Sequence, residues 1–305
     1  MKDSAEENID YHLPNLSKPR WTLYIFGFFV LSFLMYFPIA AQIESTIKKS
    51  LTSIPGCSIG YKDLDFQWLM PKFVVKDLSV PASCFNQRGS PILFKETFLY
   101  IRGLSFIPFG PHFKLETTAL NSPLKAYITA GFGSLAFNLK DSELDLKSLS
   151  PLLPGGVKLD GKANVDALIK TGSQGIEDFN LRIVSKDLSL PAQSVQAFAF
   201  SRMPINNLLL KAQMEDKNVL NVSEFILGDV ESPVRANFSG KVELNQRVPA
   251  ASRLDLVGEV AFSQSFLDQY SIIGMVMNQF DKKDDFYQIQ LQGTLASPAP
   301  SSPRK

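Results

Sequence analysis

From Cys57 onward nearly every segment of the chain alternates apolar and polar residues. Successive side chains of a strand point to opposite faces, so a period of two marks strands that bury one side and wet the other. Four stretches show it cleanly. Leu135, Phe137 and Leu139 alternate with Ala136 and Asn138; Ala236, Phe238, Gly240, Val242 and Leu244 alternate with Asn237, Ser239, Lys241 and Glu243. Leu254, Leu256, Gly258, Val260 and Phe262 share one face of a third, and Tyr287, Ile289, Leu291, Gly293 and Leu295 face away from Gln288, Gln290, Gln292 and Thr294 in the fourth. One dry and one wet face imply an antiparallel sheet. Turn residues recur at Pro71, Pro81, residues 89–91, Pro123, residues 154–156, residues 172–175, Pro191, Pro233 and Pro249, a spacing that favours a meander over βαβ units.

One late segment breaks the pattern. Over residues 265–280, Phe266, Tyr270, Ile273 and Met277 follow helical spacing behind Ser265, a residue able to cap a helix. Its few charges form no basic face, which favours a helix laid on the sheet over one lying on a membrane surface. The tail, SPAPSSPRK at residues 297–305, is too poor in apolar residues to pack and is expected to be disordered. The heptapeptide KDLSVPA at residues 76–82 returns as KDLSLPA at residues 186–192. In each copy the leucine and the following Val80 or Leu190 share a face, Asp and Ser take the other, and the proline ends the strand. The repeat reads either as two related β-modules in one long sheet or as a coincidence between two amphipathic strands.

Ahead of the β-region lies WTLYIFGFFVLSFLMYFPIAA, residues 21–41, which carries no charge and as a helix is long enough to cross a hydrocarbon core of about 30 Å. A buried core helix of this length would have a polar face, and a cleaved signal peptide fits poorly with Ile39 near the cleavage site and a polar segment ahead of the run. Ile43, Ile47 and Leu51 continue an amphipathic helix until Pro55 and Gly56 stop it. The resulting division is a cytoplasmic tail (1–20), a transmembrane helix (21–43), an amphipathic linker helix (44–56), an exported β-domain (57–296) and the tail. Lys18 and Arg20 nearly balance Lys48 and Lys49 across the span, so orientation rests on the short first segment and on the single large body that follows.

Composition argues against several kinds of chemistry. With 31 basic against 30 acidic residues the chain has almost no net field, which disfavours nucleic acid as a partner. Phe occurs 24 times and His twice, leaving little material for metal sites or imidazole catalysis, and no cofactor is expected. No nucleophile elbow, zinc helix or phosphate loop is present, and Gly131 and Gly133 lie in a strand run without the helix a nucleotide site needs. Asp63 with Asp65, and Glu143 with Asp145, read as solvated strand edges, and His112 beside Pro111 as a loop residue. The acceptor sequons at Asn221 and Asn237 fall in strands. The chain is therefore expected not to be an enzyme. A first hairpin turning between Met70 and Pro71 would set Cys57 opposite Cys84, either as a disulfide in an oxidising compartment or as free buried thiols.

Residues 205–244, INNLLLKAQMEDKNVLNVSEFILGDVESPVRANFSGKVEL, followed by YQIQLQGTLASP at residues 287–298, resemble the type II secretion system protein N family and, more distantly, AsmA-type proteins. The likeness lies in the order of elements: an N-terminal span, a strand-rich body, a turn with Gly-Asp and Ser-Pro, a returning strand with a central glycine, and a closing strand ending in Gly-Thr-Leu. It implies a mainly β chain with one N-terminal transmembrane helix, an elongated, curved AsmA-like sheet and one late amphipathic helix. It further implies a bacterial inner-membrane location with the β-domain in the periplasm, other type II secretion subunits as partners, and no catalytic residues to transfer. The residues themselves add that a long sheet with one aromatic and leucine-rich face must close on itself, bind a partner or cradle something apolar. Two functions remain open: an accessory subunit of the secretion machine, or an envelope carrier whose groove shields phospholipid, with Tyr287, Ile289, Leu291 and Leu295 on the candidate core or groove face. A membrane-tethered enzyme is opposed by the residue inventory.

Overall fold

A computed structural model describes residues 18–36, 45, 59–67, 72–81, 91–106, 109–119, 121–131, 133–149, 157–173, 175–195, 198–245, 248 and 251–303. The chain divides into two compact units, residues 1–50 and 51–305. In the first, helix α1 (Lys18–Tyr36) takes in 16 of the 21 uncharged positions and exposes large apolar side chains such as Leu23 and Phe28. At about 1.5 Å per residue that uncharged part is roughly 24 Å long, short of a bilayer core of about 30 Å. No helix among the described residues is long and apolar enough to cross a membrane. The expected span is thus found only as far as Tyr36; residues 37–43, the linker helix apart from Ser45, and the tail ahead of Lys18 lie outside the described residues.

The second unit is mainly one antiparallel sheet. Its strands are β1 (Asp63–Gln67), β2 (Lys72–Val80), β3 (Ile92–Phe106), β4 (Phe109–Ala119), β5 (Ser122–Gly131), β6 (Ser134–Asp145), β7 (Lys162–Gly172) and β8 (Gly175–Leu190). After a small separate hairpin, β9 (Gln193–Val195) with β10 (Phe198–Phe200), the sheet resumes with β11 (Met203–Asp216), β12 (Val219–Leu227), β13 (Val234–Glu243) and β14 (Arg253–Phe262). Then β16 (Phe286–Thr294) completes it, flanked by β15 (Lys282–Lys283) and β17 (Ser297–Ser301), which pair with different halves of its far edge. Each long strand lies beside the one before it, as a meander requires. Gly172 and Gly175 pair across the β7–β8 turn, and β2 and β8 stop at Pro81 and Pro191. Pro123 does not interrupt its strand, because it is the second residue of β5 where a missing donor is tolerated.

Bulges keep the apolar side chains in phase. In β6, Leu135, Phe137 and Leu139 share a face with Ser142 and Leu144, because the ladder shifts between Leu139 and Ser142. Asp141 absorbs the extra residue in the left-handed region (φ 47°), and its N–H donates to Asp166 Oδ1 at 3.0 Å. Ser142 is wholly buried, its hydroxyl 3.2 Å from the Lys140 carbonyl and accepting the Lys125 N–H at 3.3 Å. Buried Ser185 likewise donates to the Lys162 carbonyl at 2.6 Å, and buried Ser232 lies 2.5 Å from the Ile205 carbonyl. Small hydroxyls thus satisfy backbone groups that the shifted ladder leaves over.

Three expectations need correction. The single late helix is two: α3 (Gln264–Gln269), capped by Ser263 rather than Ser265, and α4 (Ser271–Met277). They break at Tyr270 (φ −122°, ψ 60°), whose hydroxyl is held by the Ser201 N–H at 3.0 Å and whose ring packs on Phe200. Residues 297–301 of the tail are ordered, for they pair with β16; Pro298 and Pro300 alternate along β17, so Ser297, Ala299 and Ser301 keep the donors that an antiparallel ladder uses. The first hairpin pairs Asp63 with Lys76 and Phe66 with Phe73, which centres it between Leu69 and Met70, one residue earlier than expected. A ladder so centred is two positions out of the register that sets Cys57 against Cys84; both cysteines lie outside the described residues.

Replacing Ser142 by Ala strips the partner from the Lys125 N–H beside a wholly buried position and should cost about 1–3 kcal/mol. A lowered urea midpoint with an unchanged slope is the expected result, while Ser239→Ala on the exposed side of β13 should stay within about 0.5 kcal/mol of the parent.

Candidate functional site

The registers bring one residue from each of thirteen strands into a single line. From β1 to β16 it reads Phe66, Phe73, Leu99, Leu115, Ala126, Leu139, Ala167, Leu181, Ala212, Val222, Gly240, Leu256 and Leu291. Every position is apolar or glycine. With neighbouring strands about 4.8 Å apart, the line is roughly 58 Å long. A second line, Ile101, Phe113, Ile128, Phe137, Ile169 and Phe179, runs parallel to it across β3 to β8. These side chains are packed against their neighbours within the face but remain mostly half-buried, since among the described residues the one other sheet is the two-stranded β9–β10 hairpin.

Cover is local. Met277 of α4 and Phe280 seal Ala236, Phe238, Tyr287 and Ile289 into a core on β13 and β16, while Leu146 of the short helix α2 (Leu146–Leu149) packs with Ala163, Leu188 and Ile205. The four predicted face residues therefore separate. Tyr287 and Ile289 are 7% and 5% exposed beneath the helices, Leu291 is half-buried at the margin of that core, and Leu295 is exposed in the β16–β17 turn.

Charges occupy the opposite face. Lys170 pairs with Asp178 at 2.7 Å, Lys162 with Glu143 at 2.7 Å, and Lys211 with Glu224 at 2.7 Å, each across adjacent strands. Glu143, read as a solvated strand residue, is one of these partners, and Asp63 is another, 3.5 Å from Lys76. His112 is a strand residue rather than a loop residue: its Nδ1 is 2.9 Å from Thr129 Oγ1 and its ring stacks on Tyr127. Beside it the Lys114 ammonium, hydrogen-bonded to Glu116, holds that carboxyl below its usual range. No group of His, Cys, Asp and Glu among the described residues has the arrangement of a metal site.

No known family model, curated protein or solved structure matches this chain. The chemistry available is thus what the face itself presents: a long, shallow, apolar surface, polar behind, with helices over two parts of it.

Sequence reasoning found the face but missed the groups that hold its ends. Between β12 and β13, Asp229 accepts from Asn206 Nδ2 at 3.0 and 3.1 Å and from the Glu231 N–H at 3.0 Å, and lies 2.8 Å from the Ser232 hydroxyl. Gly228-Asp229 and Ser232-Pro233, two of the marks on which the family likeness rested, are therefore one hydrogen-bonded corner. The Ser232 hydroxyl first, then Asn206, keep the Asp229 carboxyl below its ordinary range. A depressed folded-state value contributes stability above the unfolded value, lost as pH falls through the folded one. The parent and Asp229→Asn should accordingly differ in thermal midpoint at pH 7, with the parent higher, and calorimetry should show the difference shrinking as the carboxylate is protonated in acid.

Proposed function

We propose that this chain is a non-catalytic protein of the bacterial envelope, anchored in the inner membrane through residues 21–43, whose apolar sheet face cradles the acyl chains of phospholipid in the periplasm. The thirteen-residue apolar line carries the reading. A soluble sheet normally covers such a face with a second layer, and exposed apolar patches beyond a few hundred Å² mark binding surfaces. Acyl chains suit a surface that is long and narrow and offers no charge along its length. Bulges at Asp141 and Asn206, both with positive φ, bend the strands and favour the curved, AsmA-like trough.

A second reading makes the same face a docking surface for other subunits of a type II secretion machine, the chain being its accessory component. What favours it is that the two segments of family likeness lie in one end of the sheet with only β14 between them: residues 205–244 supply β11 to β13, and residues 287–298 supply β16 and enter β17. Gly293 within the second has φ 102° and pairs with Pro298, so its place in the closing strand is a backbone requirement.

Lipid extraction from the purified full chain separates the two. Phospholipid should accompany the parent in stoichiometric amount, and a Leu135→Asp, Ile169→Asp double variant on the open face should lose it by roughly tenfold or more, about 1.4 kcal/mol, while staying folded because water reaches both sites. Parent protein without lipid, but with secretion subunits bound, would leave only the docking reading. For the location, a phosphatase fused after Lys305 should be active in cells, and activity of cytoplasmic reporters alone at that end would reverse the orientation.

A further inference from the structure

The helix pair over the sheet carries an unexpected surface. Helix α4 turns Ile273 and Met277 toward Ala236, Phe238, Tyr287 and Ile289, as a surface helix should. Its other side is apolar as well: Ile272, Met275 and Val276 are 56%, 72% and 47% exposed and stand at i, i+3 and i+4, a single outward stripe. From Gln269 through Phe280 no residue is charged, and the nearest charges, Asp268 and Asp281, bracket the segment. We propose that this outward stripe of α4 is a bilayer-contacting surface, which inserts into the headgroup and acyl boundary of a phospholipid membrane beside the covered end of the apolar sheet face.

Two features select a bilayer over a protein partner. The stripe has no charge or ion pair of its own with which to orient a protein, whereas an acyl boundary requires only apolar area. The location also matters, because α4 lies on β13 and β16, where the apolar line approaches its last strand; a bilayer at its outer side and acyl chains on the sheet would be separated by one helix. The inference rests on the acyl-cradling and anchored reading above, in which 18 residues separate Ala41 from Gly60. Fully extended these reach no more than about 65 Å, so an anchor at residues 21–41 confines the sheet domain to the neighbourhood of a membrane.

The test uses the full chain in phosphatidylcholine vesicles, with Cys57 and Cys84 replaced by Ser and one fluorophore attached through Met275→Cys. A second preparation carries the label through Val257→Cys, an exposed apolar position on the polar side of β14. Nitroxide-labelled phosphatidylcholine should quench the label at 275 at least about threefold more than that at 257, with aqueous iodide giving the reverse order and added salt changing neither. An Ile272→Ser, Val276→Ser background should bring the 275 label back toward iodide at an unchanged melting temperature. A 275 label open to iodide in the parent overturns the proposal, and so does one shielded from both quenchers, which would mean a protein covers it. Lipid quenching at 275 in a protein that yields no extracted phospholipid would uphold this contact while removing the acyl-cradling reading.

Discussion

Thirteen strands must keep their side-chain alternation in step for one face of this sheet to be apolar from edge to edge. The demand is severe, since a slip of one residue in any strand sends its whole apolar set to the charged side. Ordinary ladders cannot satisfy it where a strand carries an extra residue, as β6 does between Leu139 and Ser142. The chain answers with residues that tolerate left-handed backbone, Asp77, Asp141 and Asn206, and with buried serines that take up the displaced backbone groups. The line from Phe66 to Leu291 exists because these local repairs restore the phase.

A face built this way is half of a core. The ion pairs behind it, such as Lys170 with Asp178 and Lys211 with Glu224, are substantially exposed and contribute roughly a few tenths of a kcal/mol each. Apolar contact within the face and beneath the helices must therefore supply most of the stability, and the uncovered remainder is surface that water penalises. Structure and proposed function meet at that point. Covering the whole face would make a more stable sandwich with nothing left to bind, whereas covering only the patches under α2 and α4 leaves the rest of the apolar line open.

The repeated heptapeptide falls in equivalent places. Each copy closes the second strand of a hairpin, and each serine exchanges two backbone hydrogen bonds with the strand before it, Ser79 with Gly60 and Ser189 with Asp160. Lys62 approaches Asp77 at 4.0 Å, and the Lys162 N–H donates to Asp187 at 3.0 Å. The second hairpin is ten residues longer between these bridges, and only the first copy places its aspartate at positive φ. Both copies thus make the same two-bond bridge at the corner of their hairpins.

Strand faces were legible from the chain alone, because the period-two alternation of Leu135 to Leu139, Ala236 to Leu244 and Tyr287 to Leu295 is a local property that any strand obeys. The meander followed from turn residues for the same reason. Register was not legible: the first hairpin sits one residue from its expected centre, and centring depends on which ladder pairs best across the sheet. Nor was the fate of residues 297–301, whose composition resists packing but whose alternating prolines fit an edge once β16 is there to receive them. The helix break at Tyr270 needed Ser201 and Phe200, 69 and 70 residues away, to hold that side chain. The sequence by itself determined which face of its strand each alternating residue takes; the tertiary structure decided which are covered, so that Gln290 is buried and Leu295 exposed. Coverage depends on contacts between distant segments, and no local pattern encodes it, which is why Tyr287 and Ile289 became core while Leu291, two residues on, stayed half-buried at its margin.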